Sequence, residues 1–220
     1  MKTGYWEEKN GDQLSMGYYA LNMKTGTWIT HYTQNNQIYK LENFDNEGRK
    51  NGIFLTFDRK NKLQSVEYFK NGVFDGTNVS YGQANEFPVT EITYKNGRKN
   101  GASKFYYDNG KLQEEDGFVL DVKNGPSRWY SRNGKLLAEY NYKNGVFEGP
   151  QKTYYDNDSL QSVAFYSNNV YNGDYKEYYR NGVIKLSGKY VNGEKDGPWT
   201  EFDETGKGIT TKKYKNGVTK

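Results

Sequence analysis

The sequence contains no cysteine, a single histidine and only 4 prolines in 220 residues. Without cysteine there are no disulfide staples, no thiol chemistry and no thiolate-ligated metal, although this alone does not fix the compartment. With His31 alone, a histidine-based triad and a multi-histidine metal site are both excluded. Aliphatic residues are also scarce. Leu, Ile, Val and Phe together make 40 of the 220 residues, too few for a thick aliphatic core. No apolar run approaches the ~20 residues of a membrane-spanning helix. The opening Met1-Lys2-Thr3 leads straight into Gly4-Tyr5-Trp6 with no signal-peptide core. As written, the chain reads as cytoplasmic, or as enveloped or secreted if it was trimmed from a longer precursor.

Charge of one sign is lacking too. Lys plus Arg (31) against Asp plus Glu (27) leaves +4, spread along the chain rather than gathered on one face as nucleic-acid binders gather it. What the chain has instead is 22 Tyr, 11 Phe, 4 Trp and 25 Gly. Rings supply apolar area of a different kind, and aromatics without aliphatics point to thin sheets covered by rings.

A repeat organises these residues. Glycines recur at Gly26, Gly52, Gly76, Gly101, Gly125, Gly149, Gly173 and Gly197, spaced by 24 residues with two exceptions, and Gly4 opens an atypical first copy. The fifth residue after each glycine from Gly52 onward is Phe57, Tyr81, Tyr106, Tyr130, Tyr154, Tyr178 and Phe202. Turn dipeptides follow in phase, such as Asn109-Gly110, Asn133-Gly134 and Asn181-Gly182. A second set closes each copy, as in Tyr94-Lys95-Asn96-Gly97 and Tyr142-Lys143-Asn144-Gly145. Between turns, runs such as Leu136, Ala138, Tyr140, Tyr142 alternate with polar residues, the period of a half-buried strand. The reading is one repeat domain over 1–220, about nine antiparallel β-hairpins of ~24 residues in an elongated single layer. With strands ~4.8 Å apart, eighteen of them would make a twisted ribbon on the order of 85 Å long.

Faces follow from loop length. A three-residue first loop with glycine left-handed, as in Asp108-Asn109-Gly110, places the fifth-position aromatic on the same face as the Leu or Ile that starts the second strand. By strand alternation the terminal Tyr or Phe joins them, and the even-numbered positions of the first strand face the other way. Trp28, Tyr32, Tyr107, Trp129, Tyr155, Tyr175, Tyr179 and Trp199 occupy such even positions. Unlike the fifth-position rings they vary between copies, as a surface shaped for one partner would. The turn lysines Lys70, Lys95, Lys143 and Lys215 are expected to line one edge, where they attract an acidic partner or guard the edge against aggregation.

The pattern Gly, Tyr-Tyr, Asn-Gly-Lys-Leu, Tyr-Lys-Asn-Gly, clearest from Gly101 to Gly217, resembles the bacterial variant of the MORN repeat, found in proteins labelled YwqK-like antitoxins. The resemblance implies a β-hairpin array serving as an interaction scaffold, often the antitoxin or immunity partner of a toxin, with no catalytic residues to carry over. The expectation is therefore a non-enzymatic protein-binding protein with no cofactor, no metal and no nucleic-acid partner. The competing reading is an envelope module that binds glycan, lipid headgroups or a host protein. His31 reads as a ring filling the fifth-position slot. Glu114-Glu115-Asp116 read as solvated, since strand neighbours point to opposite faces. The lone turn aspartates Asp58, Asp108, Asp156 and Asp203 read as turn formers rather than calcium ligands.

Overall fold

A computed structural model describes residues 1–83 and 86–220, all as strands, turns and loops. The chain divides into two compact units, Met1–Gly110 and Lys111–Lys220, a division that the uninterrupted period does not announce. Unit 1 holds β1 (Gly4–Asn10), β2 (Gln13–Ala20), β3 (Met23–Tyr32), β4 (Ile38–Phe44), β5 (Gly52–Phe57), β6 (Leu63–Lys70), β7 (Val73–Phe74), β8 (Gly76–Tyr81), β9 (Pro88–Lys95) and β10 (Arg98–Tyr106). Unit 2 holds β11 (Leu112–Val119), β12 (Val122–Tyr130), β13 (Leu136–Lys143), β14 (Val146–Phe147), β15 (Gly149–Tyr154) and β16 (Leu160–Ser167). It continues through β17 (Val170–Tyr178), β18 (Ile184–Val191), β19 (Glu194–Phe202), β20 (Gly208–Lys215) and β21 (Val218–Thr219). Within each unit the strands pair antiparallel in chain order; the two-residue β7 and β14 leave room for β6 to pair with β8 and β13 with β15.

Both turn types are set by residues that tolerate positive φ. In most of the described copies the first loop has three residues, as expected, while after β3 it has four, residues 33–36. Gly134 N–H donates to the Ser131 carbonyl at 2.8 Å and Ser131 N–H to the Lys135 carbonyl at 2.8 Å, with Gly134 left-handed at φ 88. Asp158 and Asn61 fill the same left-handed slot. Except after β4, where residues 46–48 form a three-residue loop, the closing turn is a two-residue hairpin with both residues at positive φ, such as Asn144 (52) and Gly145 (84) between the paired Lys143 and Val146. The Gly145 amide then donates to the Lys123 carbonyl at 2.9 Å, and Gly193 does the same to Tyr171 at 2.8 Å. Each copy is thereby tied to the one before it.

One expectation about the faces is corrected. The fifth-position aromatic does sit opposite the first Leu or Ile, as in Phe57 with Leu63, Tyr154 with Leu160 and Tyr178 with Ile184. The next pair, however, is Thr56 with Ser65, so Gln64 is an extra residue, a β-bulge that recurs at the same place along the chain. A bulge reverses the alternation beyond it. The terminal Tyr and Phe therefore swing onto the face of the even positions: Gly52 opposes Phe69, and the Phe69 ring lies 4.7 Å from that of Phe54.

Candidate functional site

Because of that bulge, the even-position face is where the rings of each copy meet. In unit 1 Phe44, Phe54, Phe69, Phe74 and Tyr94 form a chain of ring contacts with centroids 4.6–5.7 Å apart. In unit 2 Tyr166, Tyr171, Tyr190 and Trp199 do the same at 4.3–4.9 Å. This is the core of a sheet only one layer thick.

Three of the eight candidate partner-binding rings are consumed by it. Trp28 is 0%, Trp199 4% and Tyr32 7% exposed. Each Trp lies flat over a glycine of the neighbouring strand: a Cβ on Gly17 would stand 2.4 Å from the Trp28 ring, and one on Gly188 2.2 Å from Trp199. The indole N–H groups donate to the Tyr18 carbonyl (3.1 Å) and the Lys189 carbonyl (3.2 Å). Lys24 and Lys195 cover the outer ring faces at 4.1 Å. Trp28, Tyr32 and Trp199 thus form no free surface, contrary to the expectation for their positions.

The sixth-position tyrosines have a structural bond of their own. Tyr32 Oη donates to the Phe57 carbonyl at 3.3 Å, Tyr155 to Tyr178 at 2.8 Å and Tyr179 to Phe202 at 2.8 Å, in each case the fifth residue of the next copy. Tyr107 holds the same position and is half-buried. Tyr175 packs on Trp199 at 5.5 Å and donates to Glu177 at 2.6 Å; burial first and that hydrogen bond second push its hydroxyl well above the ordinary phenol range. Trp129 remains, 38% exposed, paired with Glu114 on one side and the small Ala138 on the other. Close by, Lys123 Nζ lies 2.9 Å from Asp116 and 3.5 Å from Glu114. Burial, then the hydrogen bond with Asp116, raises the Glu114 carboxyl pKa against the pull of Lys123. Burial disfavours the Lys123 ammonium, but the Asp116 carboxylate outweighs it and raises its pKa. Glu114 and Asp116 are therefore partnered and largely withdrawn from solvent, not the solvated carboxylates expected, because they share the ring-bearing face with Lys123. A cavity of about 240 Å³ also opens in unit 2, bordered by Thr153, Tyr155, Gln161, Tyr175, Glu177 and Lys185.

The turn lysines Lys70, Lys95, Lys143 and Lys215 are exposed, and Lys215 pairs with Asp196 at 3.1 Å. The lysines that matter to the ring face are others, two residues before the repeat glycine: Lys24, Lys50, Lys123 and Lys195, each over one or more rings. Their signal in the sequence is that Phe74, Phe147 and Tyr171 take the same slot in other copies.

The opposite face differs between the units. In unit 2 a row of cross-strand neighbours reads Glu115, Arg128, Glu139, Lys152, with Arg128 Nε 2.8 Å from Glu139 and 3.8 Å from Nη1 to Glu115. In unit 1 the corresponding row reads Met16, Ile29, Leu41, Leu55, Val66, Val79.

Among the described residues no group of three or more His, Cys, Asp or Glu is placed to hold a metal ion, and no helix is long and apolar enough to cross a membrane. A comparison with the curated proteins finds no match. The family model described as the MORN repeat variant matches residues 99–119, 123–144, 147–168, 171–192 and 195–216. Five consecutive matches in phase with the hairpins and turns described above place this chain in the MORN repeat variant family.

Proposed function

We propose that the chain is a non-enzymatic protein-binding scaffold that meets its partner on the ring-bearing face of unit 2, at Trp129. The observation that carries this reading is the contrast among the eight rings. Seven are buried or half-buried, several of them tied down by contacts and hydrogen bonds of the fold, while Trp129 leaves an indole in solvent beside the small Ala138. An exposed tryptophan next to a small residue is the kind of anchor around which interface energy concentrates. The likeness to YwqK-like antitoxins favours a toxin as that partner.

The test is affinity capture from native cells with the wild-type chain and Trp129→Ala side by side, bound proteins being identified by mass spectrometry. One stoichiometric protein, held by the wild type and lost by a variant with unchanged circular dichroism, supports the proposal and names the partner. Equal capture by both chains removes Trp129 from the interface. A second reading is favoured by the cavity between Tyr155 and Tyr175. Rings beside a carboxylate (Glu177) and an amide (Gln161) suit a sugar, and a glycan array that lights up where protein capture fails would select it.

A further inference from the structure

The face of unit 1 opposite the rings has a property that nothing in the repeat requires. Across β2, β3, β4, β5, β6 and β8 the three middle positions on that side hold no Asp, Glu, Lys or Arg, and the charge these strands do turn to it is Lys70, at the end of β6. The centre is the aliphatic row from Met16 to Val79. On one flank lie the pairs of His31 with Ile38 and Phe57 with Leu63; on the other stand Tyr18 and Tyr68, both exposed. In a chain that is 26% charged, and in contrast to the row of unit 2 that opens with Glu115, Arg128, Glu139 and Lys152, an uncharged centre across six strands calls for a covering partner. Charge returns at its borders, as Glu7 and Lys9 on β1 and Glu91 and Lys104 on β9 and β10. Every member of the central row keeps part of its surface in solvent.

Size constrains what covers it. Six strands ~4.8 Å apart, each with three side chains ~6.8 Å apart, occupy roughly 29 by 20 Å, or about 590 Å². Exposed apolar patches of that extent mark interaction sites, and the area approaches the ~600 Å² per partner at the small end of stable interfaces. A lone helix, about 10 Å wide, leaves half of it wet. A second pleated sheet of equal extent covers it, at the ~10 Å spacing of stacked sheets.

We infer that this face packs against the same face of a second copy of the chain, giving a two-fold dimer held sheet on sheet. The field is suited to meeting itself. Its middle carries no charge, so the charged groups of each chain stay at the rim of the contact, where Glu7 and Glu91 stand among Lys9, Lys70, Lys95 and Lys104 and no belt of a single sign surrounds it. The dimer uses unit 1 and the face away from the rings, so its fate is independent of the Trp129 proposal.

Sedimentation velocity of the full chain tests it. The wild type is expected to sediment at about twice 25.5 kDa, Leu55→Lys at the mass of one chain, and Val163→Lys, in the equivalent row of unit 2, as a dimer like the wild type. A monomeric wild type across the accessible concentration range, or a Leu55→Lys chain that dimerises as well as the wild type, overturns the inference. Should Leu55→Lys not fold, the cysteine-free chain allows a second measurement. Leu41→Cys and Leu55→Cys treated with a short bis-maleimide are expected to give covalent dimers and Val163→Cys single chains; failure of both central cysteines to link overturns the inference equally.

Discussion

At the scale of single residues, stability rests on a size exchange between neighbouring strands. Where the second position after the repeat glycine is Trp, its partner across the strand is glycine (Gly17 with Trp28, Gly188 with Trp199); where it is Ser127, the partner is Asp116, and where it is Tyr175, Ala164. The glycine is needed because the indole lies on the backbone itself. Gly188→Ala puts a methyl 2.2 Å from the ring atoms of Trp199, so the ring has to lift from its seat and lose its bond to Lys189. The expected cost is about 1–3 kcal/mol, read as a lower urea midpoint at unchanged slope. None of this exchange was legible from either residue alone. Trp199 taken by itself looked like a displayed ring, and only the cross-strand register shows what it rests on.

At the scale of elements, the hairpins were the most legible part of the sequence, because glycine and asparagine at positive φ leave a direct trace. The three-residue loop and the pairing of the fifth-position ring with Leu or Ile both follow from loop chemistry. The face of the terminal rings did not, since the extra residue after Leu63, Leu136 or Leu160 is an ordinary Gln or Leu with nothing to mark a bulge. Two closing turns place leucine where Asn is the rule. Leu21 (φ 49) and Leu120 (φ 50) occupy the left-handed position where other copies place Asn, and both side chains are exposed. A β-carbon next to the carbonyl in that conformation costs roughly 1–2 kcal/mol, and Asn suffers less of it. Leu120→Asn is therefore expected to stabilise the fold by up to about 1 kcal/mol, visible as a rise in melting temperature; a fall would mean that the leucine side chain makes a contact worth more than the strain.

At the scale of the whole molecule, the sequence announced a repeat but not how its rings are shared out. A single layer needs an aromatic core in each unit, so most rings that vary between copies vary to fit their neighbours, and Trp129 is the one of the eight left exposed. Chemical denaturation of Trp28→Ala, Trp199→Ala and Trp129→Ala, followed by circular dichroism under one set of conditions, tests this division most directly. Removing either buried indole is expected to cost about 3–5 kcal/mol, and removing the exposed Trp129 less than about 1 kcal/mol. A Trp129→Ala chain that unfolds as readily as the other two, or buried-site variants as stable as the wild type, would contradict the account.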